Sequence, residues 1–265
     1  KVLINHGLTP QEIFFYRFLI AYIGIWAISP KHLFADNLKD ELWLVAGGVF
    51  GGSLYFFTEN TALGITQASN VAFIICTAPL LTTILSLLFY KSEKATKGLI
   101  YGSLLALIGV GLVVFNGSVV LKLSPVGDLL TLLAALSWAF YSLVIKRMTG
   151  RYPTVFITRK IFFYGVLTIL PAFLLHPLQP DFDVLLQPLV LSNLLFLAVL
   201  ASLICYILWN VVLKQLGTMR ASNYIYLNPL VTMVASVLIL HEQITWITLM
   251  GAACIILGVY LAEKK

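Results

Sequence analysis

The feature that most constrains this chain is the length of its uncharged apolar runs. Between Leu42 and Tyr90 the only charged side chain is Glu59. That run is too long for one crossing of a bilayer, because about 20 apolar residues span the roughly 30 Å hydrocarbon layer. Hydrophobic residues make up 60% of the chain and charged residues 11%, whereas soluble domains hold about 45–50% and about 25%. An all-α integral membrane protein is predicted, and a soluble enzyme, a nucleic-acid binder and a disordered scaffold are disfavoured.

Division of the chain at charges and turn residues predicts nine membrane spans. The longest run is divided between Gly64 and Gln67, where a glycine and polar residues allow a tight turn. The linkers are short and leave no room for a soluble domain. The predicted spans are residues 10–29, 42–64, 67–90, 98–117, 125–146, 153–175, 188–213, 218–241 and 244–262.

Basic residues are distributed unequally between the two sets of alternating loops. Cytoplasmic loops collect Lys and Arg, so the richer set is assigned to the cytoplasm, which also places the C-terminus there. The poorer set holds Lys1 and Lys122. The richer set holds Lys31, Lys39, Lys91, Lys94, Lys97, Lys146, Arg147, Arg151, Lys214, Arg220, Lys264 and Lys265.

The two halves of the chain resemble each other. Asn60 and Leu63 recur 150 residues later as Asn210 and Leu213. We therefore predict two repeats, residues 1–117 and residues 125–263. The other matching pairs are Pro79 and Pro229, Thr82 and Thr232, and, after one deleted residue, Glu93 and Glu242, Gly102 and Gly251, and Gly109 and Gly258.

The alignment leaves one span without a partner. The span that contains Trp138 matches only a stub at Lys1 in the first repeat, so we expect a further helix upstream and five helices in each repeat. An odd number makes the second repeat enter the membrane from the opposite side. Inverted repeats around a midplane site are typical of transporters that expose the site alternately to the two sides. A structural bundle without cargo is the alternative.

The duplicated pattern resembles the EamA-like branch of the drug/metabolite transporter superfamily. The resemblance rests on Pro79 and Pro229 in the fourth helix of each repeat, on the glutamate that follows each, on a glycine-spaced fifth helix, and on Trp138 early in the second repeat. It covers the chain apart from one N-terminal helix. It implies a ten-helix inverted-repeat (5+5) bundle that moves small organic solutes, often exporting amino acids, metabolites or drugs, across a bacterial inner membrane.

Four charged residues lie deep inside predicted spans, and three of them, Glu59, Arg17 and Lys160, are candidate site residues. A carboxylate such as Glu59 costs a few kcal/mol in lipid and usually faces a bundle interior or a wet cavity. It either titrates or binds cargo, which would couple transport to protons, or it forms a structural pair with a base such as Arg17. Arg17 and Lys160, with Arg159, either snorkel to the interface or attract an anionic or zwitterionic cargo.

Polar residues at helical spacing predict a central cavity lined by aromatic rings and amides. Interhelical hydrogen bonds, worth about 0.6 kcal/mol each, are the alternative for any single residue. Pro79 and Pro229 remove backbone donors in mid-span and predict kinks, either fixed bends or gating hinges. The predicted cavity residues are Tyr55, Glu59, Asn60, Asn70, Trp138, Tyr141, Tyr206, Asn210, Asn223 and Tyr226, with Ser202 on the same helix face as Tyr206 and Asn210.

Motifs for other chemistry are absent from the sequence. It contains no P-loop, no GxSxG, no HExxH and no CxxC pair, so we predict no cofactor, no metal and no direct use of ATP. A membrane-embedded enzyme acting on a lipid is the alternative function; Asp181 and Asp183 form a close acidic pair in a loop, where both are more simply solvated. A channel is a third. The expected partners are a small-molecule solute and the lipid bilayer; monomer and homodimer stay open.

Overall fold

The computed structural model describes residues 2–29, 33–90, 94–115, 124–174, 177–178, 181–240 and 245–264, with side chains left out for 235–240. Within these residues every regular element is a helix, which confirms the all-helical prediction. Seven of the described helices are long and apolar enough to cross a membrane. Glu93 and Glu242 of the repeat alignment lie outside the described residues.

The described helices coincide with the nine predicted spans. Two short helices, Val2–Asn5 and Phe182–Leu185, lie outside them. The stretches 38–65 and 218–240 are not among the seven membrane-length helices, although both are helical over the predicted spans. The helices are α1 (Pro10–Ile28), α2 (38–65), α3 (Ala68–Phe89), α4 (Lys97–Phe115), α5 (Pro125–Thr149), α6 (Thr154–Leu174), α7 (Pro188–Leu216), α8 (218–240) and α9 (Trp246–Glu263).

Local sequence signals start several of these helices. Thr9 and Glu12 form a capping box ahead of α1, and Pro10 supplies the preset φ of a first helical residue. The side chain of Asn37 accepts a hydrogen bond from the Asp40 amide at the start of α2. Gly217 has φ +81° and separates α7 from α8, a conformation that a residue without Cβ adopts at little cost.

Five of the described helices change character along their length, and α6 does so by ending in a 3₁₀ segment, Leu170–Leu174. α2 contains a π-helical segment at Val49–Ser53, and α7 contains one at Phe196–Ile204. α3 breaks after Ile75 and restarts at Ala78, whereas α8 passes through a 3₁₀ turn at Tyr224–Leu227. Pro79 and Pro229 are each the second residue of the α-helical segment that follows the irregularity, so both mark a local break.

The chain divides into two compact units. Unit 1 comprises the described residues of 1–60 and 140–215, and unit 2 those of 61–139 and 216–265. Each unit therefore combines residues from both predicted repeats. The core of unit 1 is aromatic: the ring centroid of Phe18 lies 5.0 Å from that of Phe162 and 5.7 Å from that of Tyr206.

The core of unit 2 is built on a close helix pair. A Cβ placed on Gly102 of α4 would lie 2.4 Å from the carbonyl oxygen of Gly258 in α9. Glycines on both helices allow the backbones to touch, as small residues do between membrane helices. Many apolar side chains, such as Leu88 and Ile108, stay exposed, as expected of surfaces that contact lipid.

Candidate functional site

Unit 1 contains a cavity of about 440 Å³. Its wall is mostly apolar and comes from α1, α2, the start of α7 and the short helix Val2–Asn5. Four polar side chains interrupt it: Arg17, Glu59, Asn60 and Asn193. Small-molecule sites combine an apolar lining with a few placed polar groups in this way, at volumes of about 300–1,000 Å³. Three of the predicted site residues are thus brought to one cavity.

The guanidinium of Arg17 is held from two sides. Its Nε donates a hydrogen bond to the Ser202 hydroxyl at 2.8 Å. Its Cζ lies 4.5 Å from the ring centroid of Phe56, within cation–π range. Because the bond uses Nε, the two terminal amino groups remain available for a carboxylate, the planar geometry that arginine matches best.

The carboxylate of Glu59 lies one helical turn after Tyr55 on α2. The Tyr55 hydroxyl donates a hydrogen bond to Glu59 Oε1 at 3.0 Å. Glu59 and Arg17 line the same cavity but form no direct ion pair with each other. The cavity therefore offers a ligand one positive and one negative group, each oriented by a neighbouring side chain.

The polar face of α7 bonds to other helices of unit 1. Ser202 receives the bond from Arg17, and the Tyr206 hydroxyl donates to the carbonyl of Gly51 at 2.6 Å. Asn210 Oδ1 accepts from the Tyr141 hydroxyl at 2.7 Å, and its Nδ2 donates to Thr158 Oγ1 at 2.9 Å. Tyr141, Tyr206 and Asn210 thus take part in interhelical bonds, the alternative that the sequence left open.

The remaining predicted cavity residues belong to unit 2. Asn223 is fully buried, and its Oδ1 accepts a hydrogen bond from the Ser103 hydroxyl at 2.9 Å. Tyr226 packs among buried apolar residues that include Cys76. Asn70 is buried on α3, and Trp138 is half-buried on α5.

Lys160 lies in an ion pair with Glu41, at the start of α2. Its Nζ also donates to the carbonyl of Leu33 at 3.0 Å, while the neighbouring Arg159 donates to the carbonyl of Ser29. Both basic side chains are buried, with 2–3% of their surface exposed. Burial of both side chains disfavours the snorkelling alternative: Ser29 and Leu33, between α1 and α2, and Glu41 of α2 supply their partners.

The sequence did not reveal the acidic side of this network. Glu41 accepts hydrogen bonds from the side chains of Lys160 and Tyr164 and from the Ala35 amide. Burial raises the pKa of Glu41, but these bonds outweigh burial and hold the pKa below its usual value. Next to it, Asp40 pairs with Arg151 at 2.8 Å. The only local signal was the acidic first turn of α2, which helix capping alone would explain.

Asp181, one of the two acidic residues considered for the alternative enzyme function, caps a helix. Asp181 Oδ1 accepts hydrogen bonds from the amides of Asp183 and Val184 at 3.0 and 3.2 Å. It therefore caps the short helix Phe182–Leu185.

Comparison with known proteins gives consistent results along the chain. The model of the EamA-like transporter family matches residues 1–115 and 125–263. An uncharacterised transporter of Archaeoglobus fulgidus is 28% identical, over 97% of this chain and 89% of that protein. A Bacillus subtilis protein named "Uncharacterized transporter YyaM" is 30% identical, over 82% of this chain and 70% of its own length.

A further relative has a more specific name. It is a Salmonella typhimurium protein named "Probable amino-acid metabolite efflux pump", 26% identical over 97% of this chain and 86% of that protein. A solved crystal structure superimposes with a TM-score of 0.80 at 17% identity, covering 97% of this chain and 89% of that one. This likeness supports the fold.

Proposed function

Because the chain belongs to the EamA-like transporter family, we propose that it moves a small organic solute across the bacterial inner membrane by alternating access. The sequence repeats, residues 1–117 and 125–263, are proposed to cross the membrane in opposite orientations with the C-terminus in the cytoplasm. The unequal distribution of Lys and Arg between the loops supports this orientation.

The cavity of unit 1 is proposed as part of the path of the solute. The observation that carries this proposal is the presence of two opposite charges, Arg17 and Glu59, on one mostly apolar wall. Charged groups within membrane spans are costly and mark substrate or ion pathways. A solute with a carboxylate, an amine and an apolar body complements this wall, and the name of the Salmonella typhimurium relative agrees with such a solute.

Glu59 is proposed to couple transport to protons. Loss of its proton leaves a negative group beside an apolar wall, whereas protonation removes the charge that holds an amine. The Tyr55 hydroxyl donates a hydrogen bond to this carboxylate, which favours its ionised form. Transport is driven by a gradient or is facilitative, since no nucleotide-binding motif occurs in the sequence.

Counterflow in proteoliposomes tests transport directly. Vesicles preloaded with an unlabelled solute are given the same solute as tracer, with amino acids, nucleobases, sugars, sugar phosphates and cationic drugs as the panel. A carrier accumulates tracer transiently and saturates, whereas a channel does neither. No counterflow with any member of the panel would contradict the proposal for these solute classes.

The role of Glu59 is tested by Glu59→Gln at two pH values. We expect the variant to lose the pH dependence of transport and to bind an amine-bearing solute more weakly, because the neutral amide resembles the protonated carboxyl. Glu12→Gln is the matched control, because Glu12 belongs to the exposed capping box of α1 and lies outside the cavity wall. Unchanged transport in Glu59→Gln, with a lower melting temperature, would assign the residue a structural task instead.

A further inference from the structure

The backbone of α2 is irregular just before Glu59. Residues Val49–Ser53 form a π-helical segment, and regular α-helix resumes at Leu54. A π-turn closes hydrogen bonds between residues i and i+5 and holds one residue more than the α-turn it replaces. Such single turns occur frequently at functional sites.

The π-segment is packed tightly on both faces. A Cβ on Gly51 would lie 2.2 Å from the ring of Tyr141, and one on Gly52 would lie 3.1 Å from the ring of Phe18. Two glycines in succession therefore let the wider turn fit among aromatic side chains. The rings of Tyr141 and Phe18 therefore leave little room for the backbone of Gly51 and Gly52 to move.

A second π-segment occurs in α7 at the equivalent place of the repeat. An offset of 150 residues, which relates Asn60 to Asn210, carries Val49–Ser53 onto positions inside Phe196–Ile204. Two irregularities at matched positions point to a shared purpose, because an accidental distortion would have no reason to recur at this offset.

A side chain from α7 holds the π-segment of α2. Tyr206 lies two residues after the end of the π-segment of its own helix, and its hydroxyl donates to the carbonyl of Gly51 at 2.6 Å. Both partners are buried. Because water does not compete at a buried bond, the contact favours the backbone arrangement that presents this carbonyl to α7.

The π-turn decides which residue faces the cavity further along α2. If the extra residue were absorbed into regular α-helix, every later residue would rotate by about 100° relative to the start of the helix. The position now taken by Glu59 would then be taken by Thr58. Thr58 is buried, 2% exposed, with its hydroxyl bonded to the carbonyl of Leu54.

We propose that Tyr206 is a positioning residue for Glu59, acting through the π-helical segment of α2. Its bond to Gly51 keeps the extra residue in that turn, and the turn directs the carboxylate to the cavity. Release of the bond lets α2 exchange Glu59 for Thr58 at the cavity wall. This inference rests on the proposed role of Glu59 in the path of the solute.

Cysteine labelling measures the register of α2 without any solute. In a chain that carries Cys76→Ser, Cys205→Ser and Cys254→Ser, a single cysteine is introduced as Glu59→Cys or as Thr58→Cys. A charged, water-soluble methanethiosulfonate is added to the protein in vesicles. We expect position 59 to react faster than position 58, because residue 59 lines the cavity and residue 58 does not.

The variant Tyr206→Phe removes the hydroxyl and keeps the ring. We expect the ratio of the labelling rates at positions 59 and 58 to fall about fivefold, the shift that loss of one buried hydrogen bond produces. Tyr141→Phe is the matched control, since Tyr141 also donates a buried bond in unit 1, but to Asn210. An unchanged ratio in Tyr206→Phe, or an equal fall in Tyr141→Phe, overturns the proposal.

Deletion of Gly52 provides a second, independent variant. It removes the extra residue, so regular α-helix keeps Glu59 towards the cavity even together with Tyr206→Phe. A high ratio in the deletion variant supports the proposal, and a low ratio overturns it, whether or not Tyr206→Phe folds. Since labelling uses no solute, failed counterflow with the expected labelling overturns only the proposed function.

Discussion

Arg17 and Glu59 line one cavity without touching, and each is held by a different hydroxyl group. Arg17 donates to Ser202 of α7, whereas Glu59 accepts from Tyr55 of its own helix. Two opposite charges that were free to meet would form an ion pair and leave nothing for a ligand. The two hydroxyl groups keep the charges apart and oriented, which is the preorganisation that a binding site needs.

Arg17→Lys is expected to impair solute binding, although the substitution keeps the positive charge. Lysine has no Nε donor placed for Ser202 and no planar group for the Phe56 ring. We expect KM in counterflow to rise about tenfold, the cost of a lost charge-assisted hydrogen bond. Arg147→Lys is the control, because Arg147 also lies over an aromatic ring, that of Trp43, but outside the cavity wall. Equal KM values in both variants would contradict the assignment.

The sequence was sufficient to find the charged members of this cavity. Glu59 and Arg17 stand out because charge inside an apolar run is rare and costly in lipid. The spacing of Ser202, Tyr206 and Asn210 also identified their common helix face. Whether such a face meets a solute or another helix depends on which helices pack against it, and no local pattern encodes that choice. Neither of the two π-segments was predicted, since their difference from α-helix lies in backbone hydrogen bonding.

The partner of Lys160 was equally inaccessible to sequence reasoning. Glu41 lies far away in the chain, and only the packing of α2 against α6 brings the two together. Arg17 and Lys160 each follow a proline, Pro10 or Pro153, by seven residues, and this match between the repeats suggested a common role. The structure nevertheless gives them different surroundings. Equivalent positions in a duplicated sequence can therefore diverge once the neighbouring helices differ.

Lys160→Met is expected to destabilise unit 1 strongly. It leaves the largely buried carboxylate of Glu41 without its cation, and removal of one partner of a buried pair costs about 3 kcal/mol or more. The double variant Lys160→Met with Glu41→Leu removes both charges and should recover most of the loss. Melting temperatures in detergent measure both effects. A double variant less stable than Lys160→Met would show that the two residues do not act as a pair.

Acidification is expected to weaken the same region through Asp40, which lies outside the predicted spans. Burial raises its pKa, but hydrogen bonds from Arg151, Asn37 and Tyr152 outweigh burial and hold the pKa below its usual value. A carboxyl with a lowered pKa stabilises the folded state above its ordinary pKa of about 4, and this contribution is lost as the pH falls through the lowered value.

The wild-type melting temperature should therefore fall as the pH drops below about 4, and Asp40→Asn should flatten that fall while lowering the value at neutral pH. Asp183→Asn is the control, because Asp183 is exposed and should leave the pH profile unchanged. A profile for Asp40→Asn that parallels the wild type would assign the acid sensitivity to other carboxyl groups.

Gly102→Ala is expected to force α4 and α9 apart in unit 2. The new Cβ would lie 2.4 Å from the carbonyl oxygen of Gly258, and a backbone atom cannot turn aside as a side chain can. Separation of the pair breaks close contacts along both helices, and overpacking of this kind costs about 2 kcal/mol.

Gly64→Ala is the matched control in α2. Nothing lies within 4 Å of its Cβ position, so the change should stabilise the protein by about 0.5 kcal/mol, because the unfolded chain becomes less flexible. Melting temperatures that move in opposite directions for the two variants are the expected result. A Gly102→Ala protein as stable as the wild type would mean that the two backbones do not approach as closely as described.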